Sequence, residues 1–241
     1  MTSPSATAAF FDLDRTLLAK SSGELYIRAL RERKLVSNRD LAWILATTVL
    51  YGLNVVKPER LMEKAASWYR GEPEQAMIDF CEDWFSTTVR NYLYTEAIRR
   101  VRDHQEQGHV VALLTAATSY IAQPVRRHLG ISHALCNRME VRNGRFTGRL
   151  LKPLCHGKGK LYWAIAFCRD HGAQLERSYF YTDSFRDLPT LEAVGNPRPV
   201  NADRPLLRIA RKRGWPVERF RTTVGRVDAG HGLRFFRRGS R

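Results

Sequence analysis

The stretch AAFFDLDRTLL, residues 8–18, sets four apolar residues directly before Asp12 and Asp14. An unalternating apolar run, Ala8 to Phe11, is the pattern of a strand covered on both faces. Strands of an open parallel sheet deliver polar residues to a cleft at their C-terminal ends. A single residue separates the two carboxylates, so both face one cleft if the chain leaves the extended state between them. There one serves as nucleophile or metal ligand and the other as proton donor. The same spacing also suits a plain turn in which Asp14 bonds only nearby backbone.

The strand-then-polar pattern occurs twice more. HVVALL (109–114) runs into Thr115, and SYFY (178–181) runs into Thr182 and Asp183. Helical stretches separate the runs: Thr95 is placed to cap TEAIRRVRDHQEQ before Gly108, and residues 158–171 carry Leu161, Ile165 and Cys168 on one face before Gly172. Strands alternating with helices imply an α/β fold built on a Rossmann-like parallel sheet. Residues 21–93 lack strand signals and read as four inserted helices, a cap over the sheet's C-terminal edge. Their markers are Ser37 with Asp40 as a capping box before LAWILATTVL, Pro58 and Pro73 at first turns, and a closing Gly71. Asn143-Gly144 inside MEVRNGRFTGRL predicts a hairpin. Asp203 caps a last helix, RPLLRIARKR, ended by Gly214, after which periodicity is lost and the chain is expected to fray. The predicted organisation is a core of 1–20 and 94–220, a helical cap of 21–93, and a basic tail of 221–241.

Composition narrows the class. The 241 residues are 44% hydrophobic with 16 Gly and 10 Pro, which excludes collagen-like, disordered and disulfide-scaffold chains. The four cysteines show no CxxC spacing, and a chain of this size folds without staples. The N-terminus has neither a basic region nor a long apolar core, so no signal peptide is expected. The longest uncharged run, Leu41 to Val56, is 16 residues and short for a membrane span. A cytoplasmic protein is the expectation, with its basic end able to touch the inner membrane face. Of the net charge of +16, residues 198–241 supply +10, from 13 basic and 3 acidic residues. Such an end suits anionic lipid or a phosphorylated substrate. Nucleic acid is not expected, since only Arg234, Phe235, Phe236 and Arg237 interleave basic and aromatic groups. The seven histidines show no ligand spacing, and no GxxxxGK[ST] or GxGxxG cradle is present. The sequence carries no indication of oligomeric state.

Three strand ends thus offer Asp12 with Asp14, Thr115, and Asp183 with Asp187. A threonine hydroxyl and the amides after it, Ala116 first, suit a phosphate oxygen, and carboxylates from separate strands suit Mg²⁺, which prefers oxygen ligands. HGKGK supplies a balancing cation at a helix start, Lys158 or Lys160. Lys160 is preferred because it leads directly into LYWAIAF.

These residues resemble the haloacid dehalogenase superfamily of phosphatases, in its phosphoserine-phosphatase-like branch, from Phe10 to about Trp215. DLDRT looks like the first family motif, LLT the second, the lysine of HGKGK the third and TDSFRD the fourth. The insert looks like the family's type-one cap. The resemblance implies that Asp12 attacks phosphorus and forms an aspartyl-phosphate, while Asp14 protonates the leaving oxygen and then activates water. It implies Mg²⁺ held by Asp12, the Asp14 carbonyl and Asp183 with Asp187 in support, and Thr115 and Lys160 on the phosphoryl oxygens. Thr16, Ala116, Arg186 and the cap residue Glu24 become candidates for substrate contact. Arg15 and Arg186 stand where smaller residues are commoner, and an arginine there either clamps a second anion or pairs with a cap acid. The expected substrate is a small phosphorylated metabolite such as phosphoserine or a similar amino-alcohol phosphate. A lysophospholipid phosphate is an alternative suggested by the uncharged cap helix together with the basic tail. A non-catalytic protein that binds nucleic acid or membrane through the basic tail is another.

Overall fold

The computed structural model of the protein describes residues 6–34 and 58–226. Five parallel strands form the central sheet in the order β3-β2-β1-β6-β7. They are β1 (Ala8–Phe11), β2 (Val110–Thr118), β3 (His133–Asn137), β6 (Tyr179–Thr182) and β7 (Asn196–Pro199). Strand β1 lies in the middle, pairing through Phe10 with Ala112 on one side and Phe180 on the other. Its four side chains are fully buried, which is why the run lacks alternation. Phe10 joins a core of Leu114, Phe167, Phe180 and Leu206 on one face. Phe11 joins Leu17, Val101, Leu113 and Tyr181 on the other, stacked on the Tyr181 ring at 4.5 Å. Truncating either phenylalanine to alanine would cost about 3–5 kcal/mol.

Helices cover both faces: α1 (Ser22–Glu32), α2 (Pro58–Ser67), α3 (Glu74–Thr87), α4 (Thr95–Glu106), α5 (Ser119–His128), α6 (Lys158–Asp170), α7 (Leu188–Ala193) and α8 (Arg204–Arg213). The first three belong to the inserted cap between β1 and β2. The predicted uncharged helix 41–56 and the Ser37–Asp40 capping box lie outside the described residues. Among those described, no helix is long and apolar enough to cross a membrane. All four cysteines are free and buried.

The hairpin forms as predicted from β4 (Met139–Arg142) and β5 (Arg145–Leu150), turning at Asn143 and Gly144 with φ of 50° and 71°. Its tip docks on the cap, where Phe146 N–H donates to Glu72 O at 3.0 Å and Gly71 N–H to Phe146 O at 2.8 Å. Gly148 packs so closely on Ser67 and Arg70 that a Cβ there would come within 3.1–3.3 Å of them.

Three expectations need correction. Thr95 is not the cap of α4 but its first residue, following Tyr94, and its hydroxyl turns to Glu96. Residues 115–118 continue β2 instead of leaving it, since β3 pairs beyond Leu114 through Thr118 and Asn137. The chain after Gly214 does not simply fray. Glu218 pairs with Val200, Thr223 pairs with Tyr94, and the Glu96 carboxylate accepts N–H bonds from Arg221 and Thr222. Backbone partners from distant segments replace the helical periodicity that the sequence lacks there. Residues 221–226 therefore belong to the folded body, lying along the link by which the cap rejoins the core.

Candidate active site

Asp12 ends β1, and its N–H still donates to Tyr181 O at 2.9 Å, so the strand pairing fixes where its carboxylate emerges. The chain then leaves the extended state in a tight turn, Leu13–Leu17, with Asp14 at φ −70°, ψ 128° and Arg15 in the left-handed region at φ 55°. A non-glycine residue there carries a conformational cost of about 1–2 kcal/mol. The turn brings Asp14 beneath the start of α1, where it accepts from Ser22 N–H at 2.7 Å and from the Ser21 hydroxyl at 3.4 Å.

Lys160, in the first turn of α6, reaches the same place. Its ammonium lies 2.8 Å from Asp12 Oδ1 and 2.7 Å from Asp187 Oδ2, and all three residues are 3–6% exposed. Asp187 also accepts from the Thr182 hydroxyl at 2.6 Å. Burial alone would push Lys160 down, but Asp12 and Asp187 outweigh it and hold the ammonium above its ordinary value. Lys158 is exposed.

The acids carry more negative charge than one lysine balances. Burial raises Asp12, against the pull of Lys160 and with the help of Asp187 and Asp14. Asp183 is pushed up to about 8, first by burial and next by the charge of Asp12, with Arg15 opposing. Asp14 is raised by burial, which outweighs its bonds from Ser22 and Ser21. Mutual repulsion of hard oxygen donors is what a divalent cation relieves, and Asp12, Asp183 and the Asp14 carbonyl fit Mg²⁺ in type. Among the described residues no three His, Cys, Asp or Glu side chains gather as a metal cluster, so an ion here needs backbone oxygen and water too.

The haloacid dehalogenase-like hydrolase profile matches residues 9–192, a span that includes every one of these groups. The chain belongs to that family. The hydrolase is 31% identical to a phosphoserine phosphatase of Mycobacterium tuberculosis over 220 residues, covering 89% of this chain and 71% of the relative. It is 31% identical to a histidinol-phosphatase of Neisseria meningitidis over 125 residues, 50% of this chain and 56% of the relative. Among solved structures, a protein of unknown function from Bordetella pertussis superposes with a TM-score of 0.82 at 29% identity, covering 89% of this chain and 99% of that one. A phosphoserine phosphatase holding a phospho-aspartyl intermediate analogue superposes at 0.65 with 17% identity, over 95% and 99%. The hydrolase is thus a phosphatase of this family with an α/β core and a helical cap.

Other sequence-predicted residues of the hydrolase fall as follows. Thr115 is buried on β2, the strand paired with β1, with its hydroxyl accepting from Ala117 N–H at 3.1 Å, and the Ala116 carbonyl is held by Asn137 at 2.7 Å. Thr16 is fully buried beneath the turn, with no partner for its hydroxyl among the described residues. Arg186 is half-buried in the loop between β6 and α7. Glu24, in the first turn of α1, is exposed and pairs at 3.8 Å with Lys20, which precedes that helix. Sequence reading missed Ser21 and Ser22, which bond Asp14, and Asn137, which ties Ala116 to Cys155 N–H at 2.8 Å. Serines just before a predicted helix were a legible capping signal; Asn137 offered none.

Proposed function

We propose that the hydrolase cleaves phosphomonoesters of small amino alcohols through an aspartyl-phosphate on Asp12. The observation that carries the reading is Lys160 bonded to both Asp12 and Asp187 at the end of the central strand, a buried cation set beside a nucleophile-grade carboxylate. In the first step an Asp12 oxygen bonds to phosphorus, the ester P–O bond breaks, and Asp14 gives its proton to the leaving alkoxide. The upward push on Asp14 favours the protonated form that this step uses. In the second step water attacks phosphorus, Asp14 takes the water proton, and Asp12 is released with inorganic phosphate. Lys160 and the Thr115 hydroxyl hold the phosphoryl oxygens, and Asp12, Asp183 and the Asp14 carbonyl would hold Mg²⁺. When bound, that ion neutralises the phosphoryl charge that otherwise repels an approaching carboxylate.

The substrate class rests on the relatives' names: phosphoserine and histidinol phosphate are both phosphate esters of a primary alcohol bearing an amine. The lipid alternative rested on the uncharged helix 41–56, outside the described residues, and on the basic tail, and neither relative named above is a lipid phosphatase. A panel of phosphoserine, histidinol phosphate, sugar phosphates and a lysophospholipid phosphate, with Mg²⁺ and again with EDTA, tests this reading. It predicts EDTA-sensitive turnover of the amino-alcohol esters, and is contradicted by preference for the sugar or lipid esters.

A further inference from the structure

Asp203 is read from sequence as the cap of α8, and it does accept from Leu206 N–H at 2.8 Å through Oδ1. Its second oxygen does something that capping does not require. Oδ2 accepts from Phe185 N–H at 2.9 Å, and the Asp203 backbone N–H donates to Asp183 O at 2.8 Å. One residue therefore grips both ends of the tripeptide Asp183–Phe185 while anchored to a ten-residue helix.

The tripeptide's other hydrogen bonds come from its neighbours in the chain, whereas Asp203 lies 18 residues from Phe185. The local bonds are 3.3 Å from Ser184 N–H to the Thr182 hydroxyl, 3.3 Å from Arg186 N–H to the Ser184 hydroxyl, 3.1 Å from Asp187 N–H to Ser184 O, and a bond from Leu188 N–H to Phe185 O. Phe185 is 41% exposed and contributes little apolar burial. The approach of Asp203 is built by the turn after β7, where Val200 N–H still pairs with Thr182 O at 2.9 Å and Asn201 then takes a left-handed φ of 47°. Asparagine tolerates that conformation better than most residues.

We propose that Asp203 is a positioning residue for Asp183: by fixing the peptide on either side of Ser184 it sets where the Asp183 carboxylate stands relative to Asp12. A carboxylate acceptor gives a stronger hold than a neutral one, and displacement of about 1 Å at such a site is enough to impair it. The inference rests on the proposed role of Asp183 as a metal ligand.

The test separates holding from capping. D203S keeps a good N-cap for α8 but has a single oxygen, so the Phe185 bond is lost; D203N does the same through its one carbonyl oxygen. In both variants we expect a melting temperature close to wild type, hydrogen exchange at the Phe185 amide faster by about tenfold, and Mn²⁺, followed by its electron paramagnetic resonance signal, bound about tenfold more weakly. A Phe185 amide as protected as in wild type, or unchanged Mn²⁺ affinity in both variants, overturns the proposal. Wild type that fails to bind Mn²⁺ would instead overturn the metal-site reading, while the exchange measurement still decides whether Asp203 holds the loop.

Discussion

The Asp14 carboxylate takes its shortest hydrogen bond, 2.7 Å, from the backbone N–H of Ser22, the first residue of the first cap helix. The proposed proton donor is thus held by the element that begins the cap, and the cap's orientation and the acid's orientation are one constraint.

A proline at Ser22 probes that bond. Proline is well suited to the first helical position, and Ser21 already has the extended conformation, φ −69° and ψ 131°, that a following proline demands. Ser22→Pro removes the N–H together with the hydroxyl, which also bonds Asp14, and Ser22→Ala, which removes the hydroxyl alone, gives the N–H contribution by difference. A bond to a charged group contributes about 1.5–3 kcal/mol, so kcat should fall roughly 10- to 100-fold with unchanged far-ultraviolet circular dichroism. Full turnover in the variant would show that Asp14 does not depend on Ser22.

Lys160 and Asp12 should differ in their effect on stability. Lys160→Met leaves two facing carboxylates buried without a cation, a loss of about 3–5 kcal/mol. Asp12→Asn leaves Lys160 bonded to Asp187 and should cost much less. Urea unfolding of both variants checks the order, and a smaller loss for Lys160→Met would contradict the charge balance described.

Acid sensitivity should trace in part to His104, away from the site. It is buried, 2.7 Å from His109 and 2.9 Å from the Tyr181 hydroxyl, and burial followed by the His109 charge depresses it to about 4. The unfolded chain therefore binds the proton first: the stabilisation is complete above about pH 6.5 and drains as pH falls toward 4, by at most about 1.4 kcal/mol per pH unit. Asp12 and Asp183 are raised and contribute in the opposite sense, so the comparison must be with His104→Gln. The stability gap between wild type and variant, from urea midpoints at pH 7, 6 and 5, should narrow on acidification; a constant gap would contradict the assignment.

What the sequence made legible was whatever depends on neighbours in the chain. The apolar run before Asp12, the Asn143-Gly144 turn and the Asp203 cap each follow from local rules, and each stands where expected. Lys160 followed from its place at a helix start. Glu24 pairs with Lys20, which stands in the loop just before α1, a contact that the reading of Glu24 as a cap residue did not anticipate. Asn137 and the second bond of Asp203 are invisible locally: their partners lie 18 or more residues away and are adjacent only once β2, β3, β6 and β7 have paired. The docking of residues 218–224 escaped for the same reason, since backbone bonds to a distant linker leave no side-chain pattern.

The central claim is that Asp12 carries the phosphoryl group in transit. Acid quenching during turnover of phosphoserine with Mg²⁺, then peptide mass spectrometry, reads it directly. The account predicts one phosphoryl group on the peptide containing Asp12, absent with EDTA and absent in Asp12→Asn, which should also be inactive. A label on any other residue, or Asp12→Asn turning over at the wild-type rate, would contradict it.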